Sequence, residues 1–143
     1  MMKRLSFKDK TIDKSYRMSY SLDDFLQACT VGSVTVTRGV TESASVDLGL
    51  QSKSEILLFF VNGGIETDLV FINSAEWINN PNPSVRIMVD AYTFLYDYKR
   101  CYFAFMYFES TRSWMLKSLH ISEDSNSIMQ SALRKCMLQG EKS

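Results

Sequence analysis

Histidine, proline and cysteine are scarce in this chain of 143 residues, and each scarcity narrows the kinds of site it can build. The single histidine, His120, would have to serve in any catalytic triad or histidine-bearing metal site. Cys29, Cys101 and Cys136 are separated by 72 and 35 residues, which excludes the close pairs of zinc-binding motifs. Because an odd number of cysteines cannot pair completely, we expect free thiols and a reducing, cytoplasmic location.

Long apolar runs and chemical motifs are also missing. The longest apolar stretches, residues 56–61 and 101–108, are far shorter than the roughly 20 residues that a membrane span needs. The charged N-terminus lacks the apolar run of a signal peptide. No phosphate loop, dinucleotide fingerprint, nucleophile elbow or zinc-protease motif occurs. We therefore expect a non-enzymatic protein with no cofactor, no metal and no membrane partner.

Charge is balanced overall but unevenly distributed. Residues 1–17 carry a net charge of +4, residues 18–97 a net charge of −7 and residues 98–143 a net charge of +3. Most of these charges are expected simply to face solvent. The acidic middle of the chain would repel phosphates, which disfavours nucleic acid as a partner. An acidic face that meets a basic protein is the partner class that this distribution favours.

Hydrophobic spacing predicts the elements of the first half of the chain. Ser21 is a candidate N-cap for a helix over residues 22–30, with Gly32 just beyond its end. Alternating residues predict strands around 33–37 and 44–48, joined by a turn at 38–41. Apolar runs at 55–61 and 65–72 flank Asn62-Gly63-Gly64, which is typical of a β-hairpin.

The second half of the chain is dominated by aromatic residues. A short helix is predicted over residues 73–80 and is ended by the two prolines, Pro81 and Pro83. Residues 85–97 fit either a helix or a strand, and their β-branched and aromatic content favours a strand. Residues 101–108 read as a central strand and 113–121 as a returning strand. A last amphipathic helix is predicted from Asp124 or Ser125 to Gly140.

The predicted fold is therefore α+β. It consists of a single-layer antiparallel sheet of about six to seven strands, a meander with an Asn-Gly hairpin, flanked by an N-terminal and a C-terminal helix. We expect one domain over residues 21–143, preceded by an irregular basic segment over residues 1–20.

Ten aromatic rings fall between Tyr92 and Trp114, and this is the most unusual feature of the composition. Core packing must use several of them, and surplus tyrosines on a solvent face would suggest a binding surface. We therefore predict a protein-binding domain that masks a basic macromolecular partner, such as a toxin or a nuclease. In this general character, though in no specific motif, the chain resembles toxin-immunity proteins and enzyme inhibitors. The predicted contact residues are Asp47, Glu66, Asp68, Glu76, Asp90, Tyr96 and Tyr98.

Two alternatives stay open at this stage. A strongly curved sheet could enclose an aromatic pocket for a small molecule or a reaction, with His120 or Asp90 inside it. The chain could also be a dimeric accessory subunit that pairs through the aromatic face of its sheet.

Overall fold

The computed structural model describes residues 14–122, which fold into three helices and six strands. The α+β class expected from the sequence is thereby confirmed. The predicted C-terminal helix over residues 124–140 lies outside the described residues, as do residues 1–13. In chain order the elements are β1 (Lys14–Ser15), α1 (Leu22–Thr30), β2 (Val34–Val36), α2 (Arg38–Leu48), α3 (Lys53–Val61), β3 (Val70–Glu76), β4 (Met88–Tyr96), β5 (Lys99–Phe108) and β6 (Ser113–Ile121).

The strands form one mixed sheet in the order β1-β3-β4-β5-β6-β2. Neighbouring strands are antiparallel except β2, which pairs parallel to β6 through Val34 with Trp114 and Val36 with Leu116. The expectation of a purely antiparallel sheet was therefore wrong. Two neighbouring parallel strands must be joined by a long crossover connection. Here that connection is the chain between β2 and β6, which contains α2, α3 and the strands β3 to β5. A pairing across such a distance leaves no local signal in the sequence.

Helix α1 occupies the predicted residues for the predicted reasons. The Ser21 hydroxyl accepts a hydrogen bond from the Asp24 N–H at 3.2 Å, and Asp23 and Asp24 lie in the first turn. Phe25 and Cys29 are buried on one face, four residues apart. The polar first turn and the spacing of the apolar residues are local signals, so this helix could be predicted from sequence alone.

Helix α2 replaces a predicted turn and strand over residues 38–48. The Thr37 hydroxyl accepts a hydrogen bond from the Val40 N–H at 3.2 Å and caps the helix. Val40 and Ala44, four residues apart, are buried, whereas Val46 is 84% exposed. The alternation that predicted a strand was therefore wrong, because alternate residues in this segment do not share an environment.

Helix α3 replaces the first strand of the predicted hairpin. Ser52 caps it by accepting a hydrogen bond from the Glu55 N–H at 3.1 Å, and four of its apolar residues are buried. Asn62 and Gly63 end this helix instead of turning between strands, and Gly63 adopts a φ of +85°. Asn-Gly suits a helix terminus as well as a hairpin, because both structures need left-handed backbone. The hairpin prediction was wrong for that reason.

Strand β3 begins at Val70, so the strand predicted at 65–72 starts later and the short helix predicted at 73–80 does not form. The preference for a strand within 85–97 is confirmed by β4, and 113–121 forms β6 as expected. Strand β5 lies between β4 and β6 and buries residues on both faces, among them Phe103 and Ala104. Aromatic residues on both faces are thus a reliable sign of an interior strand.

The core lies between the helices and one face of the sheet and is largely aromatic. Phe25 of α1 stacks on Phe105 of β5 with ring centroids 4.2 Å apart and planes 13° apart. Phe60 of α3 meets Phe25 edge-on at 5.5 Å and Phe103 at 5.1 Å. Tyr92 stacks on Phe103 at 5.2 Å. Much of the aromatic excess seen in the sequence is therefore used in packing the helices on the sheet.

Two glycine substitutions should change stability in opposite directions. Gly39 lies within α2 with no atom within 4 Å of an added Cβ, so Gly39→Ala should raise the free energy of unfolding by up to about 1 kcal/mol. Gly63 has left-handed backbone, and its Cβ would lie 3.0 Å from the Glu66 Cδ atom, so Gly63→Ala should lower it by about 1 kcal/mol. Urea unfolding measures both. A destabilising Gly39→Ala would mean that residues 38–41 form a turn.

Candidate protein-interaction surface

Five of the predicted contact residues, Asp47, Glu66, Asp68, Tyr96 and Tyr98, lie toward the same end of the sheet. The loop before β3 is tied to β4 by the Leu95 N–H, which donates to the Thr67 carbonyl at 2.8 Å. Arg100 at the start of β5 donates to the Asp68 carbonyl at 3.0 Å and forms an ion pair with the Asp68 carboxylate. We call residues 66–68 and 96–100 the hairpin end. The fold thus brings together residues that are about 30 positions apart.

The turn between β4 and β5 is unusual in its residues. Tyr96 pairs with Lys99, which leaves Asp97 and Tyr98 as the two turn residues, with φ of +53° and +64°. Two-residue turns with this backbone normally carry Asn-Gly or Asp-Gly. Tyr98 is 92% exposed, so its ring gains nothing from core packing. Left-handed backbone is unfavourable by about 1–2 kcal/mol for a residue that has a side chain. This turn keeps such backbone at a tyrosine whose ring is exposed to solvent.

Tyr96 anchors the hairpin end to helix α3. Its ring meets Phe59 edge-on at a centroid distance of 5.0 Å. Phe59 also lines a shallow apolar groove of about 350 Å³ beside α3, where Leu58 is 54% exposed. The hairpin end and this groove therefore adjoin through one phenylalanine, and together they offer aromatic and aliphatic surface to a partner.

The charges at the hairpin end are mixed, with a small excess of acid. Glu66, Asp68 and Asp97 are exposed, and the bases among them are Lys99 and Arg100. Arg100 holds Asp68, and its own side chain is only 15% exposed. Lys99 lies 3.9 Å from the Asp97 carboxylate in an exposed pair, a geometry that contributes little to stability. Glu66 and Asp97 are therefore the acids of the hairpin end whose carboxylates are most available to pair with a cationic group of a partner.

Asp47 and Glu76 have partners within the protein. The Asp47 carboxylate on α2 accepts a hydrogen bond from the Ile121 N–H at 2.9 Å and so fastens α2 to β6. Glu76 ends β3 and lies 3.6 Å from Arg86, at the opposite end of β3 from the loop that carries Glu66. The predicted contact residues thus divide between the hairpin end and positions that hold the fold together.

Asp90 cannot contact a partner at the surface, because it is fully buried. Its carboxylate accepts hydrogen bonds from the Ser19 N–H and the Tyr20 N–H, each at 3.0 Å. The hydroxyls of Ser19 and Ser74 are 2.5 Å apart beside it. Asp90 therefore holds the segment before α1 against the sheet, since a buried carboxylate needs such donors. Its place in the sequence, in a strand among apolar residues, was the sign of this role.

The histidine and cysteine side chains among residues 14–122 are His120, Cys29 and Cys101. His120 stacks on Tyr102 with centroids 5.2 Å apart, and its Nδ1 lies 2.8 Å from the Ile121 carbonyl oxygen. Burial raises the pKa of Cys29 to about 12 and that of Cys101 to about 11, so both thiols stay protonated at neutral pH. No cluster of histidine, cysteine and acidic residues in this range could hold a metal ion.

In comparisons with protein families, with curated proteins and with solved structures, nothing matches the chain. In the part of the chain that the structure describes, no helix is long and apolar enough to cross a membrane. Sequence reasoning missed four members of the hairpin end: Thr67, Asp97, Lys99 and Arg100. Asp97 is the acidic residue among them. The signal that could have found it is the acidic residue at the junction of two aromatic runs, because aspartate tolerates left-handed backbone in turns.

Removal of the buried carboxylate should lower the free energy of unfolding, whereas removal of a surface carboxylate should leave it nearly unchanged. Asp90→Ala leaves two main-chain N–H groups without their acceptor and should lower the free energy of unfolding by about 2 kcal/mol. Asp97→Asn removes an exposed carboxylate from the turn after the same strand but keeps a side chain that tolerates left-handed backbone, so it should change this free energy by less than about 0.5 kcal/mol. Equal losses in urea unfolding would contradict the distinction.

Alkaline pH should destabilise the protein through its buried thiols. In the unfolded chain a thiol ionises near its ordinary pKa of 9.0, but in the folded state Cys29 and Cys101 ionise only near 12 and 11. The folded state therefore retains protons that the unfolded state loses, and stability present below pH 9 should fall as pH rises toward 11. Tyr92, whose pKa burial raises to about 12, adds to the loss above pH 10.

The measurement is the slope of unfolding free energy against pH between 9.5 and 11. The double variant Cys29→Ala/Cys101→Ala should be less stable at pH 7, because two core side chains shrink, yet its slope should be shallower. An unchanged slope would show that the two thiols are not responsible.

Proposed function

We propose that this protein is a non-enzymatic binding domain that masks a basic protein partner, and that the hairpin end is its contact surface. The observation that carries the proposal is Tyr98, fully presented to solvent on left-handed backbone. A large aromatic residue in that position stabilises neither the turn nor the core. Backbone strain that is not offset by packing or hydrogen bonding of the same residue is typical of functional sites.

The surroundings of Tyr98 suit a cationic partner. Tyrosine is enriched at protein interfaces because it has a large apolar body and a polar tip and few rotatable bonds. Lysine or arginine side chains could pair with Glu66 and Asp97 and lie against the Tyr98 ring, as cations do on aromatic faces. Acidic groups around such an anchor would mainly speed association and select the partner, with the ring supplying most of the affinity.

The adjoining apolar groove extends the same surface. Tyr96 contacts Phe59 of α3, and Leu58 lines the same groove as Phe59. A partner bound at Tyr98 would therefore also cover aliphatic surface. Such a combination of an aromatic anchor, apolar neighbours and a polar rim is the usual anatomy of a protein interface. A cytoplasmic toxin or nuclease, whose basic surface needs neutralising, is a partner with the matching chemistry.

The structure offers less support to an enclosed pocket. The helix-facing side of the sheet is filled by phenylalanines in mutual contact, among them Phe25, Phe60 and Phe105. The carboxylate of Asp90, the acid predicted to lie in such a pocket, already accepts hydrogen bonds from two main-chain N–H groups. The rings of Phe60 and Phe105 both pack against Phe25, so they fill the space between helices and sheet where an enclosed pocket would have to form.

The proposal predicts that Tyr98→Gly uncouples binding from stability. Glycine relieves the left-handed backbone, so the free energy of unfolding should stay equal or rise by up to about 1 kcal/mol. Arg112→Gly is the matched control, because Arg112 also has positive φ, at +53°, but lies in the β5–β6 turn at the other end of the sheet. Only Tyr98→Gly should weaken partner binding, by more than about tenfold for an anchoring tyrosine.

A photo-reactive benzoylphenylalanine placed at position 98 or at position 112 would identify the partner in cells of the source organism. The expected result is a basic protein cross-linked from position 98 and absent from position 112. Binding of that purified protein should then slow on Glu66→Lys and Asp97→Lys and weaken as salt rises. Cross-linking to a second copy of the chain, or to an acidic protein, would contradict the proposal and favour the dimeric subunit instead.

A further inference from the structure

A cleft lies between the start of α1 and the far ends of β5 and β6, away from the hairpin end. It has a volume of about 580 Å³ and is lined by Tyr20, Ser21, Asp24, Gln27, Tyr107 and Trp114, among others. We call it the α1 cleft. Tyr107 is nine residues along the chain from Tyr98, which in an extended strand corresponds to about 30 Å. The two surfaces are therefore separate.

Three aromatic rings form the wall of the α1 cleft, and Trp114 contacts both of the others. Tyr107 and Trp114 face each other across β5 and β6 with centroids 4.7 Å apart. Tyr20 meets Trp114 edge-on at 5.7 Å. All three side chains are only partly buried, so ring surface remains open to the cleft. Rings held in this way present several faces and edges to whatever enters.

The cleft is held in shape by hydrogen bonds and by core packing. The Tyr20 hydroxyl donates to the Met88 carbonyl at 2.8 Å, while its N–H donates to the buried Asp90 carboxylate. Trp114 packs on Phe25 and Phe105 of the core, with centroid distances of 5.9 Å to each. An entering group therefore meets a preformed wall, and little ordering of side chains would oppose its binding.

Carboxylates lie beside these rings. Asp24 lies exposed on the wall of the cleft, in the first turn of α1. Burial raises the pKa of Tyr20, hydrogen bonds to the main chain of Tyr107 and Met88 lower it, and the charges of the nearby Asp90 and Glu109 carboxylates raise it. A negative potential over aromatic faces is the environment that attracts organic cations.

We propose that the α1 cleft binds an organic ammonium group, either a free alkylammonium ion or the side chain of a lysine or methylated lysine. The rings of Tyr20, Tyr107 and Trp114 would contact the alkyl groups of the cation, and Asp24 would supply the counter-charge. A volume of about 580 Å³ accommodates a small ligand of this kind in a site open on one side. The proposal stands independently of the hairpin end, because it uses none of the same residues.

The test uses the full chain, labelled with ¹⁵N, and follows the indole N–H signals of its two tryptophans, with Trp77→Phe assigning them. Tetramethylammonium chloride is the probe, and 3,3-dimethylbutan-1-ol, which is neutral and of similar bulk, is the matched control ligand. We expect the Trp114 signal to shift saturably with the ammonium ion and much less with the alcohol. Equal shifts with both ligands, or none with the ion, would overturn the proposal.

Two variants in the same helical turn separate the cleft from general surface charge. Asp24→Asn should weaken tetramethylammonium binding by about two- to fivefold, because an exposed carboxylate contributes modestly to a cation site. Asp23→Asn removes the same charge from the first turn of α1 but does not line the cleft, so it should leave binding unchanged. Equal effects of the two substitutions would contradict a defined site.

A further comparison distinguishes the two sources of the cation. Acetyl-trimethyllysine methylamide carries the same ammonium group on a peptide-like chain. Tighter binding of this compound than of tetramethylammonium would assign the cleft to a lysine side chain, since Ser21 and Gln27 could then contact the chain. Equal binding would assign it to a free alkylammonium ion.

Discussion

The flat contact between Phe25 and Phe105 is the interaction around which the described part of the molecule is arranged. It joins the first helix to the interior strand β5 and places both rings in contact with Trp114. Phe60 meets Phe25 edge-on, so α3 is positioned by the same pair. Offset-stacked and edge-on rings combine large buried area with preferred geometry. A core of this kind sets the position of the helices on the sheet more narrowly than aliphatic packing alone.

The buried carboxylate of Asp90 complements this aromatic packing. It receives two main-chain N–H groups from the segment that leads into α1, and thereby determines where Tyr20 lies. Tyr20 in turn forms part of the wall of the α1 cleft. One residue that sequence reasoning placed on a partner surface thus acts from the interior, by shaping a second candidate surface. A charge can take such a position only when donors are supplied for it.

The two candidate surfaces differ in how their aromatic residues are held. At the hairpin end Tyr98 stands free on a strained turn, whereas in the α1 cleft three rings contact one another and the core. A free ring with acidic neighbours suits a large partner that closes over it, and a preformed cleft suits a small group that enters it. Both present aromatic ring surface that the core leaves uncovered.

By itself, the sequence determined the α+β class, helix α1 and the three long strands from 88 to 121. These elements carry local signals: the Ser21 cap, the spacing of Phe25 and Cys29, and dense β-branched and aromatic residues. The sequence predicted Glu66, Asp68, Tyr96 and Tyr98 as partner-contact residues, and the structure places all four at the hairpin end. Glu66 and Asp68 lie there in a loop after α3 and not, as expected, on a hairpin strand.

Only the tertiary structure decided that residues 38–48 and 53–61 are helices. The apolar residues of these segments fit a strand as well as a helix until it is known which of them pack on the sheet. Ala44 and Val46 show this, because only the former meets the core. It also decided that Asp90 is buried against the main chain of Ser19 and Tyr20 and that Trp114 meets Tyr20. Burial and proximity of this kind depend on pairing between residues 70 or more positions apart, and no local pattern in the chain records such pairing.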